Sequence, residues 1–311
     1  MNIVFMGTPE FSVPTLEMLI GENHHISAVV TQPDKPKGRG NKEAMPPIKE
    51  CALKHNIPVL QPIRIKGDEI FYKHILSLNP DIIVVVAFGQ ILPQNVLDIP
   101  KYGCINIHGS LLPKYRGAAP IQWSIINGDN VTGVTIMYMD KGMDTGDMLT
   151  KQKILITQED TYESLHDKMK TIGANLLRDT LPMIVAGGQD RMKQDDATST
   201  YAPIISKILG EVDWNKSSQA IDALIRGLNP WPTCYTYYKG ETMKIWQAKP
   251  LESSAEDKPG TIIYIDKQGM CVQTGSGSLL IEEIQMPNKR RMPVSEYIKG
   301  HSIDPGIMLG I

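Results

Sequence analysis

The chain has 311 residues, a length that suits two domains. With 21% charged and 41% hydrophobic residues and a formal net charge of -2, it is an ordinary globular composition in which bulk charge recruits no nucleic acid; such a partner must meet a local patch. Cys51, Cys104, Cys234 and Cys271 form no CxxC pair, which favours reduced thiols in a reducing, cytoplasmic compartment over a disulfide or a zinc site.

Residues 2–6 read as a short buried strand, with no basic segment ahead of them to mark a secretion signal. Gly7-Thr8-Pro9-Glu10-Phe11 breaks that strand, residues 13–20 have helical spacing, and 26–30 form a second apolar strand. Such a βαβ start predicts a parallel sheet with helices on both faces. The turn at Gly7 stands where a dinucleotide fingerprint would stand, yet it lacks GxGxxG. Pro9 and Glu10 would block and repel a pyrophosphate, so NAD is rejected as a cofactor.

Residues 33–42 follow as a loop rich in Gly and Pro, in which Lys35, Lys37, Arg39 and Lys42 have no acidic residue between them. Composition alone reads it as a solvated loop; the alternative is a finger that reaches a phosphate backbone. Residues 82–87 are a continuous β-branched run, as expected of a central parallel strand buried on both faces.

The strand at 104–107 runs into Asn106-Ile107-His108-Gly109-Ser110-Leu111-Leu112-Pro113. Strand geometry turns Asn106 and His108 to one side, at the carboxyl edge where open α/β folds place ligands. An amide and an imidazole there can grip a carbonyl oxygen that is gaining charge, although Asn-x-His alone is also an ordinary strand end. Strands at 131–139 and 148–156 flank Asp140-Lys141-Gly142-Met143-Asp144-Thr145-Gly146-Asp147. Asp140 and Asp147 read as turn or capping residues. Asp144 is undecided between a turn former and a carboxylate that faces and orients the histidine. Cys104 reads as a core thiol, not a nucleophile.

A long helix is predicted over 161–186, with Leu165, Met169, Ile172, Leu176 and Leu177 on one stripe. Residues 189–209 are polar and have a linker's composition. A helix at 217–228 and short strands at 234–238, 243–248, 260–265, 270–274 and 278–284 then suggest a small β-barrel. Lys289-Arg290-Arg291 is a second basic cluster, open to the same two readings as the first. No HxxxH pattern marks a metal site, and no run approaches the roughly 18 apolar residues of a membrane span.

Taken together, Asn106-x-His108, Ser110-Leu111-Leu112-Pro113-x-Tyr115-Arg116-Gly117 and Gly142-Met143-Asp144-Thr145-Gly146-Asp147 resemble the folate-dependent formyltransferases. The opening at Gly7, the loop at Arg39, Asn229-Pro230-Trp231-Pro232 and Lys244-Ile245-Trp246 narrow the resemblance to the branch that formylates methionyl-tRNA. The resemblance covers essentially the whole chain. It implies an α/β, Rossmann-like formyltransferase domain with a mostly parallel sheet over 1–188, a linker over 189–209, and an OB-like β-barrel that binds tRNA over 210–311.

By the same resemblance, 10-formyltetrahydrofolate is the donor and the amino group of initiator methionyl-tRNA the acceptor, giving N-formylmethionyl-tRNA. Asn106, His108 and Asp144 are then catalytic. Ser110, Leu111, Leu112 and Pro113 line the folate site, and Lys35, Lys37, Arg39 and Lys42 touch tRNA. No metal is implied, and a cytoplasmic monomer away from membranes is the expectation. The trio does not separate this reading from a formyltransferase with a small acceptor or from a 10-formyltetrahydrofolate hydrolase. Outside enzymes, the alternative is a catalytically dead RNA-binding protein.

Overall fold

The computed structural model describes residues 1–37, 42–187, 190–252 and 257–310. It divides into two compact units. The first comprises Met1–Pro120, Thr132–Leu155 and His166–Ala202, and the second Ile121–Val131, Ile156–Leu165 and Pro203–Ile311.

In chain order the elements are β1 (Asn2–Gly7), α1 (Val13–Gly21), β2 (His25–Val30), β3 (Lys35–Lys37), β4 (Lys42–Ala44), α2 (Pro47–Lys54), β5 (Val59–Leu60) and α3 (Glu69–Ser77). Then come β6 (Ile82–Val86), α4 (Gln94–Leu97), β7 (Cys104–His108), β8 (Arg116–Gly117), α5 (Pro120–Ile126), β9 (Val131–Tyr138), β10 (Met148–Leu155), α6 (Tyr162–Ala186) and β11 (Tyr201–Ala202). A seven-stranded sheet in the order β10-β9-β7-β6-β1-β2-β5 forms the first unit's core. From β5 to β7 its neighbours are parallel, while β9 runs antiparallel to β7.

Burial explains the parallel centre. Every residue of β6 is buried, and its register sets Val84 between Phe5 and Ile105. One face packs Val4, Met6, Ile83, Val85 and Cys104 against Phe71 and Ile75 of α3 and Val96 and Leu97 of α4. Asp68 starts α3 by accepting from the amide of Phe71 (2.9 Å), which satisfies one otherwise orphaned donor. Because strand residues alternate, Asn106 and His108 share the face of Cys104, whereas Ile105 and Ile107 face the other way. Met169, Leu177 and Leu181 of α6 are buried, while Ile172 and Leu176 on the expected stripe are only half-buried.

The basic segment departs from the loop expected of it. Lys35–Lys37 and Lys42–Ala44 pair as an antiparallel hairpin. Asp34 anchors its base, bridging Lys49 (2.7 Å) and accepting from Gln61 (2.7 Å). The tip around Arg39 lies outside the described residues.

The expected linker is corrected as well. Its described residues 190–202 belong to the first unit, where β11 pairs with β8 and Met192 bridges Met148. A polar composition marks solvent on one side of a segment and does not show whether the main chain is bonded on the other.

In the second unit, Ser217 caps α7 (Ser218–Gly227) by accepting from the Ala220 amide. The strands are β12 (Cys234–Tyr238), β13 (Glu241–Leu251), β14 (Ile262–Ile265), β15 (Met270–Gln273), β16 (Ser278–Gln285) and β17 (Met292–Pro293), and α8 (Val294–Tyr297) follows. They form an antiparallel sheet, β12-β13-β16-β15-β14, with β17 on β16. The last described segment closes it. Ile262 donates to Ile307 and Leu309 to Gly260 on one side, and Gly310 donates to Tyr237 on the other (2.8–2.9 Å). The two edge strands thereby gain partners, as a barrel requires. Among the described residues, no helix is long and apolar enough to cross a membrane, and no group of His, Cys, Asp and Glu could hold a metal.

Candidate active site

At the carboxyl end of β7, Asn106 and His108 are 9% and 5% exposed. Both reach one carboxylate. Asn106 Nδ2 lies 3.4 Å from Asp144 Oδ1, and His108 Nδ1 lies 3.7 Å from Asp144 Oδ2. The structure thus joins the three residues that spacing alone left apart. Asp144 is a turn residue too, with φ at 55°, a left-handed conformation that aspartate tolerates better than most. It is thus both a turn residue and a carboxylate that faces the histidine.

The turn is built around that carboxylate. Asp140 Oδ1 accepts from the Gly142 amide (2.9 Å) and the Thr145 hydroxyl (2.7 Å), which makes it the expected capping residue. A Cβ on Gly146 would sit 2.0 Å from the Tyr138 carbonyl oxygen, so only glycine permits the turn to approach β9 this closely. The Gly117 amide donates to Asp144 Oδ2 (2.9 Å). Gly117 has a φ of 112°, and a Cβ there would meet Tyr201 at 2.6 Å and the Ala202 oxygen at 2.8 Å.

His108 is fixed from its other side. Its Nε2 lies 2.8 Å from the Tyr115 carbonyl oxygen. A carbonyl only accepts, so Nε2 carries a proton, and Nδ1 is the nitrogen turned toward Asp144. Tyr115 itself is left-handed at φ 61°, and its amide donates to the Thr200 hydroxyl (2.8 Å). The carbonyl therefore holds the ring's tautomer, where the sequence suggested Asp144 for that task. Backbone groups carry no sequence signal, and this contact was not legible beforehand.

The loop after His108 is tied inward. Ser110 is fully buried and its hydroxyl donates to the Lys114 carbonyl (2.6 Å). Leu112 is buried with Met137 and Met148, and its amide donates to Thr135. Of the four residues expected to line a folate site, Leu111 and Pro113 keep partly exposed surface and the other two shape the loop. A cavity of about 530 Å³ opens nearby in sequence, lined among others by Leu97, Cys104, Tyr138, Met139, Asp140 and Arg191, and by none of those four. The Cys104 thiol faces the Val96 and Leu97 carbonyls, and burial pushes it up to about 12, which leaves no thiolate for nucleophilic attack.

Of the basic residues, Lys35 is exposed and donates to Gln32 (2.7 Å), the side chains of Lys37 and Lys42 are not described, and Arg39 lies outside the described residues. In the second unit, Arg291 pairs with Glu283 and covers the Trp246 ring at 4.8 Å. Lys289 and Arg290 stand exposed.

The chain matches the formyl transferase family over residues 1–181 and the formyl transferase C-terminal domain over 204–302. It is 56% identical over 310 residues to a methionyl-tRNA formyltransferase of Clostridioides difficile and 54% identical over 311 residues to one of Acetivibrio thermocellus, with all of each chain covered. Among solved structures, an N-formyltransferase of Helicobacter canadensis in complex with folinic acid and dTDP-3-aminofucose superposes with a TM-score of 0.69. It is 19% identical and the match covers 91% of this chain and 98% of that one, a likeness of fold. The chain belongs to the methionyl-tRNA formyltransferase family.

Proposed function

We propose that this enzyme moves the formyl group of 10-formyltetrahydrofolate to the free amino group of initiator methionyl-tRNA, with Asn106, His108 and Asp144 as its catalytic residues. The observation that carries the reading is the convergence of an amide, an imidazole and a carboxylate at the end of β7 in a chain of this family.

The neutral amine attacks the formyl carbon, and the carbonyl oxygen takes the charge. Asn106 Nδ2–H and, when protonated, His108 Nδ1–H donate to that oxygen. With Nε2 held against Tyr115, a neutral ring presents a lone pair at Nδ1 and a charged ring presents a donor, so it cannot accept a proton and stabilise the oxyanion in the same instant. Asp144 completes the relay as acceptor for the proton that the amine sheds. Breaking the bond between the formyl carbon and the folate nitrogen returns a proton to tetrahydrofolate, and no covalent enzyme intermediate is needed. The separations of 3.4 and 3.7 Å are loose for hydrogen bonds, as in many catalytic centres before substrate tightens them.

Leu111 and Pro113, partly exposed on the loop after His108, supply surface for the folate. Lys35, Lys37, Arg39 and Lys42 approach the phosphate backbone of the acceptor stem. The protein acts in the cytoplasm as a monomer.

The test is a formyl-transfer assay with 10-formyltetrahydrofolate and methionyl-tRNA, run beside uncharged tRNA and free methionine. Formate released without an acceptor would make the enzyme a hydrolase. Arg39→Ala should weaken use of methionyl-tRNA, most at low salt, with little effect on folate affinity. A change in folate affinity alone would end the finger reading of the basic hairpin.

A further inference from the structure

The segment 192–202 has no chemistry of its own in the reading above, yet it touches each part that holds the trio. Gln194 is half-buried between exposed neighbours. Its Nε2 donates both hydrogens, one to the carbonyl of Asp144 (2.7 Å) and one to that of Gly146 (2.8 Å). Its Oε1 accepts from Arg116 Nε (2.9 Å). Both amide hydrogens are used, and these three partners belong to the two loops that meet at the site.

Those loops form a closed circuit. Tyr115 holds His108 through its carbonyl, Arg116 is the next residue and holds Gln194, Gln194 holds Asp144, and Gly117 returns to the Asp144 carboxylate. Farther along, Thr200 takes the Tyr115 amide and Tyr201–Ala202 pair with Arg116–Gly117. The Arg116–Asp196 pair is a different matter. Asp196 is 84% exposed, and solvent screens that contact.

We propose that Gln194 is a positioning residue for the transfer reaction, clamping the backbone of the Asp144 turn to the loop that orients His108. The proposal rests on the catalytic reading of the trio. Its physical ground is the conformation of Asp144. A left-handed residue in the turn at 139–147 has little main-chain bonding of its own, and the side chain of Gln194 provides it from outside. A carboxylate that drifts by ~1 Å can lose on the order of 10²-fold in rate, while substrate binding by other groups is untouched.

The experiment uses the full chain and two variants. Gln194→Ala removes the clamp. Gln194→Glu keeps the length and the acceptor for Arg116 but has no N–H for the two carbonyls. Both should lose on the order of 10²-fold in kcat with KM for either substrate within about twofold. Both should keep the wild-type unfolding midpoint, and amide exchange in a peptide covering 140–147 should rise about tenfold in each. Full activity in Gln194→Glu would overturn the clamp and leave Arg116 as the important partner. A rise in KM with kcat unchanged would overturn it in favour of a binding role. Exchange is read on the free enzyme, so it separates the two claims: faster exchange in both variants of a protein that transfers no formyl group would uphold the clamp and refute the function. Unchanged exchange and kcat in an active protein would refute the clamp alone.

Discussion

Both units bury polar side chains and satisfy them internally, mostly with backbone, but to different ends. In the second unit Thr274 donates toward the Ser276 and Gly277 carbonyls, Gln273 toward Thr274 and Gly277, and Trp214 to the buried Thr236 hydroxyl. Those bonds close turns and tie the barrel, and they end on groups that do not titrate. In the first unit, bonds of the same kind end on His108 and Asp144. Backbone groups there hold two ionisable side chains in place beside Asn106. A buried polar network is therefore no sign of a site in itself; what marks one is a network that terminates on groups able to move a proton.

If that contrast is right, substitutions in the first network should strike turnover and those in the second should strike stability. The largest effect belongs to Asn106→Ala, His108→Ala and Asp144→Ala. Each should lower kcat by on the order of 10²–10³ in single-turnover formyl transfer while the protein stays folded. Near-normal turnover in His108→Ala would remove the site. Next is Gly146→Ala, whose new methyl collides with the Tyr138 carbonyl. It should cost about 1–3 kcal/mol in chemical denaturation and depress turnover too, because the displaced turn carries Asp144.

In the barrel, Trp214→Phe should cost about 1 kcal/mol of stability and leave turnover on saturating substrates unchanged. A loss of kcat without loss of stability would erase the contrast. The last prediction concerns a feature that the units share. Burial raises Cys104, to about 12, and Cys234 above their ordinary value of 9.0. Below that value both folded and unfolded thiols keep their protons. Above it the unfolded thiol ionises first, so stability falls as pH climbs from about 9 toward about 12. Unfolding midpoints measured across that range should decline, and the folded protein should resist alkylation at neutral pH.

Much of the sheet was legible because its residues report burial directly. The run at 82–86 has no polar member, and nothing but a strand covered on both faces accommodates it. The barrel strands were found within a few residues, since alternation and turn glycines act locally. Asn106 and His108 could be paired from strand periodicity. Short strands such as Val59–Leu60 and Arg116–Gly117, the hairpin from Lys35 to Ala44, and the docking of 190–202 escaped the sequence. All but the hairpin depend on main-chain hydrogen bonds to segments remote in the chain, and main-chain bonds are indifferent to side-chain identity.

The sequence by itself determined the chemistry available: which amide, imidazole and carboxylate the protein owns, and the strand that carries two of them. The tertiary structure decided where the third one lies. Asp144 reaches Asn106 and His108 because a left-handed turn doubles back along β9, and because Gly117 and Gln194 hold it there from elsewhere in the chain. A two-residue period can place side chains on one face of a strand. Bringing residues 38 positions apart to one point takes the loop closure that only packing of the whole unit supplies.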